Sequence, residues 1–359
     1  MTDLRWATDL RAVVCGTVRK LFTQNQSAIA DAIARRSIAY LSHFLLKMLI
    51  LALDIGGSKI MSALATVSEG AGRKTCTLDR VTKKILSPNT DASGLLEEIR
   101  AILPDEGTIR QCEAIGINIP GLADPKTGMW LYAPFSGIRN VPIARILSEM
   151  VGGKPVAIDN DVNACAWAEK LFGICTEIDD FLWITISNGI GGGLVLDGKV
   201  YRGAGGNAGE FGHLILVEGG ALCGCGNRGC MEAEAAGPGI ARRYRNEFVK
   251  RFGKEPEALT AAEIASLARQ GDPIALDVYQ TTAQLLGQAA SYAVNLLNLP
   301  MVVLGGGVSG AFDLFAPEMT QTLHRFAFQA ANQNVRVEKT ALGYEAALVG
   351  AAATGFGES

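Results

Sequence analysis

His213, Cys223, Cys225 and Cys230 are spaced H-x9-C-x-C-x4-C in the stretch "HLILVEGGALCGCGNRGCMEAE". One imidazole and three thiolates make a complete tetrahedral set for structural zinc. A disulfide staple is the alternative, but it needs an oxidising compartment. Cys223 and Cys225 are also too close in sequence for a comfortable bridge to each other. A redox pair would prefer C-x-x-C. Four protein ligands leave no open position for a metal-bound water, so the metal would not be the chemical catalyst. Glu210 precedes His213 by three residues and Glu232 follows Cys230 by two. Fixing this loop therefore fixes two carboxylates, groups that accept hydrogen bonds from vicinal hydroxyls.

A second cluster is Asp159, Asn160 and Asp161 in "AIDNDVNA". It stands where a short apolar strand gives way to a helical pattern. An aspartate at such a corner is commonly only an N-cap; the alternative is a carboxylate held as a general base. Three glycine turns complete the inventory. In "LDIGGSK" an apolar strand delivers Asp54, and Gly56 and Gly57 let backbone N–H groups approach an anion, with Ser58 and Lys59 as further donors. "SNGIGGG", with Asn188 and Gly189, could act in the same way, and "LGGGVSG" holds Gly305, Gly306 and Gly307. None is a Walker loop, and the first two do not open helices as a dinucleotide fingerprint does. Each alone reads most simply as a tight turn.

The elements that must position these groups alternate between strand and helix. "MLILALDIGGSKIMSALATV" and "DFLWITISNGIGGGLVLDGKVY" both read as strand, glycine turn, strand, the second with an Asp-Gly hairpin. "CEAIGINIPGLAD" is a buried strand ending in a Pro-Gly turn. "GPGIARRYRNEFVKRF", "TAAEIASLARQ" and "PIALDVYQTTAQLLGQAASYAVNLLNL" carry helical periodicity, and "ALVGAAATGF" is a small-residue closing helix. The repeat implies two related α/β lobes, residues 48–165 and 166–359, with a cleft between them and the last helix crossing back to the first lobe.

The chain has 359 residues, is 48% hydrophobic and carries a net charge of −3. This balance gives no electrostatic footprint for nucleic acid. Cys15, Cys76, Cys112, Cys165 and Cys175 read as buried small hydrophobes, which fits a reducing cytoplasm. Residues 1–47 stand apart, with seven Lys/Arg, three Asp and no Glu. They read as a helical extension, part of a helix-turn-helix, or sequence upstream of a start at Met48, the last being favoured. His43 and Lys47 interrupt the apolar run "IAYLSHFLLKMLILAL", which argues against a membrane span.

Taken together, the three glycine turns resemble the two phosphate loops and the adenosine loop of the actin/hexokinase/Hsp70 superfamily, whose ATP lies between the lobes. With such loops present, Asn160 becomes a neutral ligand for sugar hydroxyls and Asp161 the general base. More specifically, "LALDIGGSK", "INIPGLAD", "AIDNDVNACAWAE", "GAGGNAGEFGH", "LCGCGNRGCMEAEAAG" and "VVLGGGVS" resemble, in order from Met48 to about Gly355, the ROK family of bacterial sugar kinases and repressors. The resemblance implies an α/β actin/hexokinase-like (ribonuclease H-like) two-lobe fold, ATP with Mg²⁺, structural Zn²⁺, a hexose substrate and a cytoplasmic homodimer. It assigns Asp161 as base and Gly121, Asn160, Glu210, His213 and Glu232 to the sugar pocket, with His213 also a zinc ligand. The glucokinase branch is the most similar. Kinases of N-acetylmannosamine, N-acetylglucosamine, fructose or allose share the same motifs, and the family's repressors carry a longer N-terminal DNA-binding domain. A non-catalytic sugar-binding module would leave two phosphate loops without a purpose. Departures from the family pattern are Asn188 for the usual Thr, Phe135 for the Asn of an "APN" turn, and Ala236 for a Ser.

Overall fold

Two apolar runs, residues 50–55 and 114–119, are buried almost without interruption. Strands buried on both faces belong in the middle of a sheet covered on each side. The computed structural model describes residues 46–70, 72–87, 91–133, 137–330 and 332–357. Cys15, Phe135 and all but the last two residues of the expected 1–47 extension lie outside the described residues. Lys47–Val67 and Lys74–Ser359 form one compact unit; the other unit contributes only Leu46 and part of Ser68–Arg73 to the described residues.

The first sheet uses β1 (Leu46–Ile55), β2 (Lys59–Gly70), β3 (Arg73–Ile85) and β4 (Ala114–Ile119). The small sheet that follows is β5 (Leu122–Asp124), β6 (Met129–Tyr132) and β7 (Arg139–Val141), and β8 (Val156–Asn160) then returns to the first sheet. Its order is β3-β2-β1-β4-β8. The second sheet is β9 (Phe181–Ile186), β10 (Ile190–Leu196), β11 (Lys199–Val200), β12 (Met301–Gly305) and β13 (Arg336–Lys339), in the order β11-β10-β9-β12-β13. In both sheets the order is third, second, first, fourth, fifth, and the first, fourth and fifth strands are parallel. The repeated strand–glycine–strand pattern therefore reflects a repeated sheet, as the two-lobe expectation requires. The β10–β11 hairpin turns at Asp197 and Gly198, both with positive φ (52° and 72°), the conformation that favours Asp-Gly.

Helices α1 (Ala92–Ile102), α2 (Glu106–Gln111) and α3 (Ile143–Met150) accompany the first sheet, and Leu95, Ile99, Ile109, Ile143 and Leu147 join its core. α4 (Asp161–Phe172) follows β8 directly. The short α5 (Met231–Ala235) leads into α6 (Gly237–Phe252), α7 (Ala261–Arg269), α8 (Pro273–Leu297) and α9 (Phe312–Phe326), which supply the core over the second sheet. None of the described helices is long and apolar enough to cross a membrane.

The closing helix α10 (Ala346–Phe356) explains its own composition. Its Leu348, Ala351 and Ala352 pack on Ile50, Ala52 and Met61 of the first sheet. A Cβ on Gly116 of β4 would lie 1.8 Å from the Ala351 carbonyl oxygen, and one on Gly350 about 3.0 Å from the Ala164 backbone of α4. Helix and strand meet backbone to backbone, which only glycine and alanine permit. α4 itself packs its Val162, Cys165 and Ala166 against Phe181, Trp183 and Val195 of the second sheet. The helix that begins at Asp161 is thus held by both sheets.

Candidate functional site

Strand register assembles the acidic groups. Asp54 pairs with Asn118 across β1 and β4, and Asn118 pairs with Asp159 across β4 and β8. Three parallel strands therefore end side by side with polar residues, the edge of an α/β sheet where ligands bind. Asp161 comes two residues later, at the first position of α4.

The cap of α4 is Asn160. Its side-chain oxygen accepts from the N–H groups of Val162 (3.0 Å) and Asn163 (3.2 Å), and its amide donates to the Gly121 carbonyl (2.9 Å). Gly121 meets it at φ +83°, in the Pro-Gly turn. The N-cap role is thus filled by Asn160, and the Asp161 carboxylate accepts only from the N–H of Val162 beyond it (3.0 Å) among the described contacts. Asp159 is buried and pairs with Arg202, and Arg202 also donates to the Val200 carbonyl (3.4 Å).

Burial pushes the Asp161 carboxyl up to about 7, and the nearby Asp54 carboxylate pushes in the same direction. Burial likewise raises Asp54 to about 6, offset in part by Lys59 and by a hydrogen bond from Asn118. Asp159 is also raised by burial, with Arg202 opposing. A carboxyl raised by burial and by a second buried carboxylate beside it marks a place where a cation or a proton is held.

Gly121, Asn160, Asp161, Glu210, His213 and Glu232 all line one cavity of about 260 Å³, and Gly189 borders it. Asp54, the Gly56–Lys59 turn, Asn188 and the Gly305–Gly307 turn do not line it. Asn163, Thr185 and Asn207 also line the cavity without having been singled out by their sequence pattern. The only signal for them is position, in the first turn of α4, near the end of β9 and within "GGNAGE".

The first glycine turn closes with the Gly56 N–H donating to the Lys59 carbonyl (2.8 Å), leaving Gly57 and Ser58 exposed. Lys59 donates to the Tyr344 hydroxyl (3.4 Å) and lies over that ring. In the second turn the Ser187 N–H donates to the Gly189 carbonyl (2.9 Å), and Asn188 is exposed. The later glycines of "SNGIGGG" do something else. A Cβ on Gly191 or Gly193 would strike Val162 or Ala166 of α4, and one on Gly192 would strike Phe211. They let α4 and the 203–213 loop close onto β10, which brings Asp161 and Glu210 to the same cavity. In the third turn, a Cβ on Gly305 would overlap the Trp183 ring and one on Gly306 the Ile186 backbone, while Gly307 opens to free space.

The four candidate metal ligands have their donor atoms within 4.8 Å of one another. Cys223 Sγ is 3.7 Å from His213 Nδ1, and Cys225 Sγ is 3.6 Å from Cys230 Sγ. A tetrahedral zinc with Zn–S near 2.3 Å separates its ligand atoms by about 3.7 Å, so donor set and spacing both fit. The other ring nitrogen of His213, Nε2, faces Glu210 Oε2 at 3.7 Å. Glu232 links the clip to the second turn: Oε1 is 3.7 Å from Cys223 Sγ, and Oε2 accepts from the Ile190 N–H (3.1 Å). Cys76, Cys112, Cys165 and Cys175 are free thiols, the last three buried.

The ROK family profile matches residues 50–355. A glucokinase from Streptomyces coelicolor is 31% identical over 315 residues, covering 85% of this chain and 96% of that protein. The crystal structure of a ROK family glucokinase from Streptomyces griseus in complex with glucose and AMPPNP superposes with a TM-score of 0.72 at 31% identity, covering 86% of this chain and 99% of the other. A xylose repressor from Caldicellulosiruptor bescii is 30% identical over 242 residues, 66% of this chain and 60% of the repressor.

Proposed function

The chain belongs to the ROK family, and from that premise we propose that it is an ATP-dependent kinase of the 6-hydroxyl of a hexose, glucose first, with Asp161 as general base. The observation that carries this reading is one cavity lined by a carboxyl of raised pKa together with Glu210, Glu232, His213 and Asn160. Phosphoryl transfer to an alcohol needs positioning, charge neutralisation and a group to take the hydroxyl proton. Glu210, Glu232 and the Nε2 side of His213 hold vicinal hydroxyls; Asn160 has one amide hydrogen left for the sugar. Asp161 orients the acceptor hydroxyl and receives its proton.

The exposed N–H groups of the Gly56–Lys59 and Ser187–Gly189 turns, with Lys59 and Asn188, take the phosphates, and the open face at Gly307 takes the nucleoside. Asp54 supplies a hard oxygen donor for Mg²⁺, which neutralises phosphate charge when bound. His213, Cys223, Cys225 and Cys230 would hold Zn²⁺ as a closed structural site. A cytoplasmic homodimer is the setting that accompanies this reading. The repressor reading has a similar relative in its favour, but Asp161 and its cavity would then have no chemical task.

ADP release in a coupled assay, with glucose, fructose, N-acetylmannosamine, N-acetylglucosamine and allose offered separately, tests the proposal. Glucose is expected to give the highest kcat/KM, and turnover with none of them overturns the reading. The pH profile carries a second expectation. Only ionised Asp161 accepts a proton, so kcat/KM should fall about tenfold per unit below an acid limb near the Asp161 value of about 7 and level off above it. Asp54→Asn removes the repelling neighbour and should move that limb to lower pH in whatever activity it retains.

A further inference from the structure

We propose that Glu169 is a positioning residue for the nucleotide, acting through the Trp183 indole on the Gly305–Gly307 turn. The inference rests on the reading of that turn as the nucleoside site. Glu169 lies two helical turns beyond Asp161 on α4 and is fully buried. Three donors converge on its carboxylate, none of them a cation: the Ile174 N–H (2.8 Å) on Oε1, and Trp183 Nε1 (3.2 Å) and Thr340 Oγ1 (2.5 Å) on Oε2. Gly173 makes room for it, since a Cβ there would lie 2.1 Å from Oε1. A buried carboxylate without a cation is expensive to desolvate, and an apolar side chain would fill the space at lower cost. What the carboxylate adds is direction, because each bond fixes the orientation of a group on a different segment of the chain.

Trp183 is the consequential one. It is buried in β9, and its Cα pairs with Val303 of β12. Its six-membered ring reaches along β12 to Gly305, where a Cβ would lie 2.3 Å from Cζ2 and 2.6 Å from Cη2. The indole is the floor on which the third glycine turn rests. The Nε1–H bond to Glu169 sets the rotation of that floor. The Thr340 N–H donates to the Leu304 carbonyl (2.9 Å), so the second bond of Oε2 reaches the same end of β12. Neither Glu169 nor Trp183 lines the cavity that holds Asp161. The device therefore sets the nucleotide side and leaves the sugar side alone.

The experiment uses the full chain as wild type, Glu169→Gln, Trp183→Phe and the double variant. Each is titrated with Mg·ATP at saturating glucose, with glucose at saturating Mg·ATP, and with Mg·ADP while tryptophan emission is recorded. Glu169→Gln leaves one acceptor oxygen for three donors and keeps the indole; Trp183→Phe removes the Nε1–H anchor together with the far edge of the indole under Gly305. Each is expected to raise KM for ATP about tenfold, the scale of one charge-assisted hydrogen bond, with kcat and the glucose KM within about twofold. The double variant should be no worse than the poorer single one, because both break the same bond. Mg·ADP should change the wild-type emission, and Trp183→Phe should abolish that change. If Glu169→Gln fails to fold, Trp183→Phe alone carries the test. Variants that match wild type while wild type binds Mg·ADP, or that shift the glucose KM and kcat as much as the ATP KM, overturn this proposal alone. A wild-type chain that neither binds Mg·ADP nor turns over overturns the kinase reading and this proposal with it.

Discussion

Asp161→Asn should lower kcat about 10³-fold and leave glucose affinity within about threefold. The substitution keeps shape and hydrogen-bonding capacity but removes the atom that receives the proton. It should not harm the helix. The cap of α4 is Asn160, through its bonds to the N–H groups of Val162 and Asn163, and the one N–H that Asp161 accepts, that of Val162, is shared with that cap and can be accepted by an amide oxygen as well. The Asp161 carboxylate is disfavoured in the native fold, being raised to about 7 by burial and by Asp54. Replacing it with a neutral amide removes a repulsion, so thermal stability should hold or rise as activity disappears, the usual exchange at a catalytic carboxylate. Calorimetric glucose binding, a coupled assay and a melting curve on one preparation read all three. Retention of a tenth or more of the wild-type kcat would end the assignment of Asp161 as base.

Removal of the proposed zinc from the cysteine clip should raise the glucose KM at least about tenfold and lower the melting temperature. The geometry gives the reason. Cys230 immediately precedes α5, the helix that carries Glu232, and His213 ends the segment that carries Glu210. With a cation among them, the donors pin both segments. Without it, four polar groups within 4.8 Å have only weak mutual contacts to hold them. The ATP KM should rise as well, though less, because Glu232 Oε2 holds the Ile190 N–H beside the second glycine turn. Cys225→Ser and a strong chelator should act alike, and metal analysis of the untreated protein should give about one zinc per chain. A chain that contains no zinc and whose glucose KM ignores both treatments would remove the clip from the account of the sugar pocket.

Much of this was legible because it is local. Strand–glycine–strand at residues 50–64 and 182–197 announces a repeated sheet, and the spacing of His213, Cys223, Cys225 and Cys230 announces a tetrahedral donor set. What stays hidden depends on residues far apart in sequence. "SNGIGGG" reads as one anion loop, yet Gly191, Gly192 and Gly193 are small because α4 and Phe211 press on β10. Asn160 reads as a free sugar ligand, yet most of its amide is committed to capping α4 and to Gly121. Gly116 gives no sign in β4 that the closing helix, more than 200 residues later, will touch it. Glu169 looks like an ordinary helix residue until Trp183 and Thr340 arrive from two other segments of the chain. Strand register is likewise invisible locally, although it alone brings Asp54, Asn118 and Asp159 to one edge.

The central claim is that this cavity moves the terminal phosphate of ATP to a hexose 6-hydroxyl. It is tested most directly by ADP release from the full chain with Mg·ATP and either D-glucose or 6-deoxyglucose. Steady turnover with glucose, and none above the sugar-free rate with 6-deoxyglucose, is the expected result. Equal ADP release with both sugars, or none with glucose, would contradict it.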